Sequence, residues 1–249
     1  MLKPYWVDLH IHTALSPCGE LEMGALDIVA AAREAGLDII GISDHNTADN
    51  YPAVAGRAAG NPAVLPGIEV WTAEDIHVLG IFPDYPATVK FQEWLWQKMP
   101  PTKNNPDIFG DQVVIDSEDG IVRTEEVLLV QGVGYDVDEV VGKIRSSGGL
   151  AILAHVDRPS FSYTAVLGPF PEDYPADAFE LSWRTGAEEA AEWRSRYPSR
   201  TFIRSSDSHS LDSLARSHCT KMYLEEPTFE EIKLSLAGEG GRRVSWPWG

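Results

Sequence analysis

The sequence predicts an α/β fold with a mainly parallel sheet, and three observations carry that expectation. Short apolar, β-rich runs alternate with longer helix-like segments along most of the chain, which is the pattern of βαβ units. The chain has 249 residues, 43% apolar and 23% charged, a globular balance with length enough for a substantial core. Six of its seven histidines sit at an end of an apolar run or in the loop beside it. In parallel α/β folds the strand ends converge on one face, where sites are built.

Taken in order, Tyr5–Leu9 reads as a strand and Leu26–Ala35 as a helix closed by Gly36. Asp38–Ile42 is a second strand and the Ala-rich stretch Tyr51–Ala59 a second helix. Ala63–Val70 and Ile76–Phe82 are strands, and Val89–Lys98 is an aromatic-rich helix stopped by Pro100 and Pro101. Val137–Ser146 is a helix ended at Gly148-Gly149, followed by strand Leu150–Leu153. Ala178–Leu181, Thr201–Arg204 and Lys221–Leu224 complete the strands, with helices at Glu188–Arg196 and Thr228–Leu236. One stretch, residues 99–134, breaks the rhythm: a Pro/Asn-rich loop leads into two alternating segments flanking Asp119-Gly120, a hairpin signal. Fewer than about 40 residues bury little core. The expectation is therefore a single domain over 1–249 with an inserted loop or hairpin at about 99–134.

Composition narrows the function. Twenty Lys+Arg against 38 Asp+Glu give a formal charge of −18, which argues against long nucleic acid or an anionic membrane surface as partner. No apolar stretch reaches the roughly 18 residues that span a bilayer. The N-terminal MLKPYWVDLHIHT has Asp8 and two histidines where a signal peptide would place its apolar core, and two cysteines make no disulfide scaffold, so a cytoplasmic location is expected. Oligomeric state is not legible in the sequence.

The histidine-bearing ends are YWVDLHIH (His10, His12), LDIIGISDH (Asp44, His45), DIHVLGIF (His77), LAILAH (His155) and TFIRSSDSH (Asp207, His209), with Glu69 near the end of AVLPGIEV. His-x-His and Asp-x-His on a strand place both ligands on one side, within reach of one ion. Mixed imidazole and carboxylate ligands suit zinc, manganese or iron. Eight candidate ligands exceed what one ion needs, so two or three divalent ions are expected, with His10, His12, His45, Glu69, His77, His155, Asp207 and His209 as the set. Such a cluster clamps a phosphoryl group and supplies hydroxide at neutral pH. Asp207, His209 and Arg158 are the candidate catalytic residues, the last because its guanidinium can fork onto a phosphate.

The order HIH, SDH, a lone Glu before HVLG, AH with DRP, then SDSH resembles the polymerase-and-histidinol-phosphatase (PHP) superfamily of metal-dependent phosphoesterases, from Asp8 to about Leu236. That resemblance implies a distorted (β/α)7 barrel with metals at the strand C-terminal ends. It implies His10, His12, Glu69 and Asp207 around one ion; Glu69, His77 and His155 around a second; and His45 with His209 at a third. The chain departs from the pattern HxHT-x-x-SDG at HTALSPCG, where Pro17 stands in place of the aspartate, leaving Cys18 as a candidate substitute ligand. Asp8 and Asp44 flank ligand histidines as partners that could orient a ring, and Asp44 is also a further candidate ligand.

The expected function is thus hydrolysis of a small phosphate ester, a phosphomonoester or nucleotide-type phosphodiester, by a metal-bound hydroxide. Two alternatives stand beside it. One is C–N hydrolysis of the amidohydrolase kind, against which the lack of an obvious metal-bridging lysine counts. The other is a catalytically weak, metal-stabilised structural or regulatory domain, which a less complete ligand set would favour.

Overall fold

The computed structural model describes residues 1–246. The elements run β1 (Lys3–Ile11), α1 (Ala25–Ala35), β2 (Ile39–Ile42), α2 (Tyr51–Ala58), β3 (Ala63–Trp71), β4 (His77–Ile81) and α3 (Tyr85–Leu95). They continue with α4 (Pro106–Phe109), β5 (Val113–Ile115), β6 (Ile121–Thr124), α5 (Val137–Ser146), β7 (Leu150–Leu153), α6 (Tyr163–Val166) and β8 (Ala178–Ser182). The last are α7 (Ala187–Arg196), β9 (Phe202–Ser205), β10 (Thr220–Leu224), α8 (Phe229–Leu236) and β11 (Arg243–Ser245).

Among the described residues one sheet holds nine strands in the order β11-β10-β1-β2-β3-β4-β7-β8-β9. Its ends nearly meet. A parallel bridge from Ile11 to Ser208, with His12 N donating to Ser208 O and Ser208 N to His10 O, brings the chain after β9 back to β1. The result is a nearly closed barrel with helices around it. A second, two-stranded sheet pairs β5 with β6, antiparallel, within residues 99–134.

The sheet is less uniformly parallel than expected. β4 runs antiparallel to both neighbours, β3 and β7, because the short loop Thr72–Ile76 between β3 and β4 is a reversal, not a helical crossover. This matters for the site. His77, the first residue of β4, lands at the same rim as the C-terminal ends of the parallel strands. The helix expected at Val89–Lys98 begins earlier, at Tyr85, because the Asp84 side chain caps it by accepting from Ala87 N; residues 96–98 form a separate 3-10 turn. β11 was not foreseen, since RVS is too short to show alternation.

One buried cluster draws Val7 and Leu9 from β1, Ile39, Leu65, Leu79, Ile152, Ala178, Ile203 and Met222 from other strands, and Phe229, Ile232 and Leu236 from α8. It fills the barrel, and α8 closes the end away from the histidines. Outside, α1 and α2 pack on Ile40 and Ile42, while α3, α5 and α7 cover β3, β4, β7 and β8. The hairpin is tied to this frame at its turn. Gly24 before α1 has no side chain to cap the helix, and the Asp119 carboxylate accepts from Ala25 N at 2.5 Å instead.

Candidate metal centre

The first strand shows how the local sequence aims the ligands. Between Asp8 and Ile11 the register of β1 against β2 slips, an irregularity that re-aims side chains. Ile11 packs under α1 and α2, whereas His10 and His12 turn together into the rim, ring centroids 5.1 Å apart. The remaining ligand-type groups arrive from β3 (Glu69), the loop after β2 (His45), β4 (His77), and the segments after β7 (His155) and β9 (Asp207, His209). Four backbone positions at this end hold positive φ without being glycine: Asn46 (56°), His155 (30°), Phe161 (55°) and Asp207 (50°). Such strain persists only where surrounding structure over-determines it, and it clusters at working sites.

Among the described residues three groups of donor atoms form. His10, His12, Glu69 and Asp207 offer one atom each within 4.8 Å of one another; so do His45, Glu69 and His77, and so do His12, His45 and His209. Glu69 is shared by the first two: its Oε1 is 3.2 Å from His10 Nε2 and 2.9 Å from His77 Nδ1, and its Oε2 is 3.0 Å from His45 Nδ1. His155 Nε2 joins at 3.4 Å from Glu69 Oε1. Asp207 Oδ1 is 3.2 Å from the Nε2 atoms of both His10 and His12. Asp207 Oδ2 instead meets Arg158 Nη1 at 2.6 Å.

Behind these atoms lies a set of partners that fixes their direction. The Glu180 carboxylate, fully buried in the middle of β8, sits 3.1 and 3.2 Å from His10 Nδ1. A carboxylate accepts, so Nδ1 carries the proton and Nε2 faces the other ligands. His12 Nδ1 meets Ser16 Oγ at 2.9 Å, and Ser16 Oγ donates to Asp44 Oδ1 at 2.7 Å. Asp44 is otherwise taken by Thr13 N and Thr13 Oγ1, so it holds the turn after β1 and belongs to none of the three groups. Asp8 accepts from His10 N, Ser206 N and Cys219 Sγ; it staples β1 to the segment after β9 and orients no ring. Cys18 is exposed and outside the three groups. The protein around its sulfur, and then the Glu69 charge, push its thiol up to about 12, so without metal it is no thiolate at neutral pH.

Glu180 and Ser16 are the functional neighbours that sequence reasoning missed. A lone acid inside the apolar strand AFELS was the available signal, because a buried charge demands a partner.

The donor set fits metal ions. His45 Nδ1, the ring nitrogen that faces Glu69 Oε2 at 3.0 Å, is buried without hydrogen-bond geometry to any partner among the described residues. Leaving such an atom unpaired costs on the order of 1–3 kcal/mol, a cost that a bound cation removes. The proton distribution agrees. Burial disfavours the imidazolium of His10, yet Asp207, Glu180 and Glu69 hold it well above the ordinary range. Burial likewise opposes charge on His12, but hydrogen bonds to Asp207 and Glu69 raise it to about 9. Burial pushes the Glu69 and Asp207 carboxyls upward, but the histidine charges outweigh it and keep both well below the usual range. Burial drives His45 and His77 down, and His209 down to about 4. Without metal, two carboxylates are thus balanced by protons on His10 and His12, the places where cations belong.

Neither a family model nor a curated protein sequence matches the chain. Solved structures do. The lesion-specific endonuclease PfuEndoQ from Pyrococcus furiosus superposes with TM-score 0.67 at 19% identity, covering 97% of this chain and 58% of its own. A two-domain protein from Bacteroides vulgatus containing a predicted PHP-like metal-dependent phosphoesterase gives 0.59 at 15% identity, covering 98% and 65%. The fold is that of PHP-like phosphoesterases. The PHP-type barrel accounts for the rim on which these ligands meet, and this chain spans little more than half of the endonuclease it matches. A further structure of Endonuclease Q, with a 27-mer duplex carrying an abasic lesion at the active site, gives 0.66 at 18% identity and covers 97% and 58%.

Proposed function

We propose that the histidine rim is the centre of a metal-dependent phosphoesterase acting on a small phosphate ester. The observation that carries this reading is the convergence of His10, His12, Glu69 and Asp207 within 4.8 Å, with Glu69 shared by a second group. Divalent ions held there would clamp phosphoryl oxygens and make a bound water acidic enough to act near neutral pH. Two or three ions of zinc, manganese or iron suit this mixture of ligands.

The chain's own residues supply the rest. A cavity of about 810 Å³ opens beside the rim, lined by Arg158, Trp183, Arg184, Asp207 and His209 among others. Arg158 spends Nη1 on Asp207 Oδ2, and that contact fixes the guanidinium plane so that its other donors can receive phosphate oxygens. His209 Nδ1 lies 2.9 Å from the Asp207 carbonyl; a carbonyl only accepts, so Nδ1 keeps the proton and Nε2 keeps a lone pair. Asp157 accepts from Ser182 N, Ser182 Oγ and Thr185 Oγ1, which holds the Trp183–Arg184 wall of the cavity in place.

A nucleic-acid phosphodiester is the second reading, supported by the likeness to an endonuclease seen on an abasic duplex and opposed by the charge of −18. One panel separates the readings: metal-reconstituted protein against phosphomonoesters, phosphodiesters, amides and an abasic duplex, with and without chelator. Chelator-sensitive release from a small ester supports the first. Cleavage of the duplex alone supports the second, amide hydrolysis alone an amidohydrolase, and no turnover a structural role.

A further inference from the structure

At the opposite end of the barrel the charge pattern inverts. Arg194 of α7, Arg200 before β9 and Arg243 of β11 line a cavity of about 240 Å³, together with Thr201 and Ser235. Among the described residues no acidic side chain lines it. In a chain with 20 basic and 38 acidic residues, three arginines in one acid-free hollow is a strong local excess. Arg242, next in line to Arg243, shows the ordinary alternative: it pairs with Glu225 and Glu231. Among the described residues Arg194 and Arg243 have no ion pair.

Two polar atoms strengthen the case. Ser235 Oγ is buried, the residue only 2% exposed, and has no hydrogen-bond partner. Arg200 gives Nη2 to the carbonyls of Pro171 and Glu172, but its Nε is buried and unpartnered as well. Arg243 stacks on Tyr223 at 3.7 Å, which leaves the in-plane N–H edge of the guanidinium free to donate. The Ser235 hydroxyl, the Arg200 Nε donor and the guanidinium groups of Arg194 and Arg243 around a hollow of this size match a tetrahedral oxyanion, and orphaned buried donors call for an acceptor.

We propose that this cavity binds a phosphate group, as the free ion or as the phosphomonoester of a small molecule, at a site separate from the metal rim. β9 links the two ends: Thr201 precedes it and Asp207 follows it, so about six residues of extended chain, roughly 20 Å, lie between them.

The test is binding of radiolabelled inorganic phosphate to the metal-loaded full chain by equilibrium dialysis at constant ionic strength. Wild type, R194Q/R243Q, S235A and R158Q are compared, with unlabelled glycerol phosphate as competitor. Two classes of site are expected in wild type. R194Q/R243Q should weaken one class at least tenfold, S235A should weaken the same class severalfold, and R158Q should leave it intact. Glycerol phosphate competing better than phosphate at that class assigns the esterified group; the reverse assigns the free ion. Both exchanged arginines are exposed, so their removal leaves the core untouched. Wild-type binding in R194Q/R243Q overturns the proposal, as does displacement of that class by chloride at equal ionic strength.

Discussion

The two ends of β9 gather charge of opposite sign, buried at one end and at the surface at the other. At the rim, Asp207 and Glu69 are almost wholly buried and are met by imidazoles whose protons a cation can replace. At the far end, arginines that cannot deprotonate line a hollow with no acidic side chain among the described residues. A cluster of charge therefore does not by itself name a ligand; the titratability of the groups in it does. Histidines can exchange protons for metal. Arginines can only wait for an anion.

The comparison breaks first at the rim if its anions are not the working groups. Asp207→Asn should cut phosphoester turnover by about 100-fold or more, since it removes one member of the four-residue group and the anchor of Arg158. Activity within a few fold of wild type would return Asp207 to a structural role. Glu180→Gln keeps size but weakens the orientation of His10. Metal affinity measured against a competing chelator should fall about 10–100-fold. Unchanged affinity would mean that β1 alone fixes the ring.

Protons at the rim set the third expectation. His12 is held at about 9 in the metal-free rim, so metal binding near pH 7 must expel its proton. Affinity should therefore rise with pH up to about 9, as much as tenfold per unit for each proton released. Calorimetry in buffers of different ionisation enthalpy reads the released protons directly, and none released would refute this charge balance. The smallest effect expected lies away from both ends. Asp119→Ala removes the cap on α1 and should cost about 1 kcal/mol of stability while metal content is unchanged.

Much of this was legible in the sequence. The ligand-type residues stood at strand ends because apolar runs and histidines alternate so regularly, and the structure gathers all eight on one rim. The reversed direction of β4 was not legible. Five residues between two apolar runs say nothing about handedness, although His77 at the start of its run was the clue that the strand enters from the rim side. Glu180 escaped because a single acid in a strand looks like an outward-facing residue until the opposite wall is known. Asp44 drew attention through its neighbour His45, whereas its oxygens serve the turn at Thr13 and Ser16, a partnership 28 and 31 residues away in the chain. The arginine hollow was invisible for the same reason: residues 194, 200 and 243 meet only after β9, β11 and α8 have packed.

If Glu69 joins two cation sites on one rim, the number of metal ions per chain must depend on it. Protein purified without chelator and reconstituted with manganese, zinc or iron is analysed by mass spectrometry for metal per chain, beside Glu69→Gln. The account predicts two or more equivalents in wild type and the loss of more than one in the variant. Fewer than one equivalent in wild type, or an undiminished content in Glu69→Gln, would contradict it.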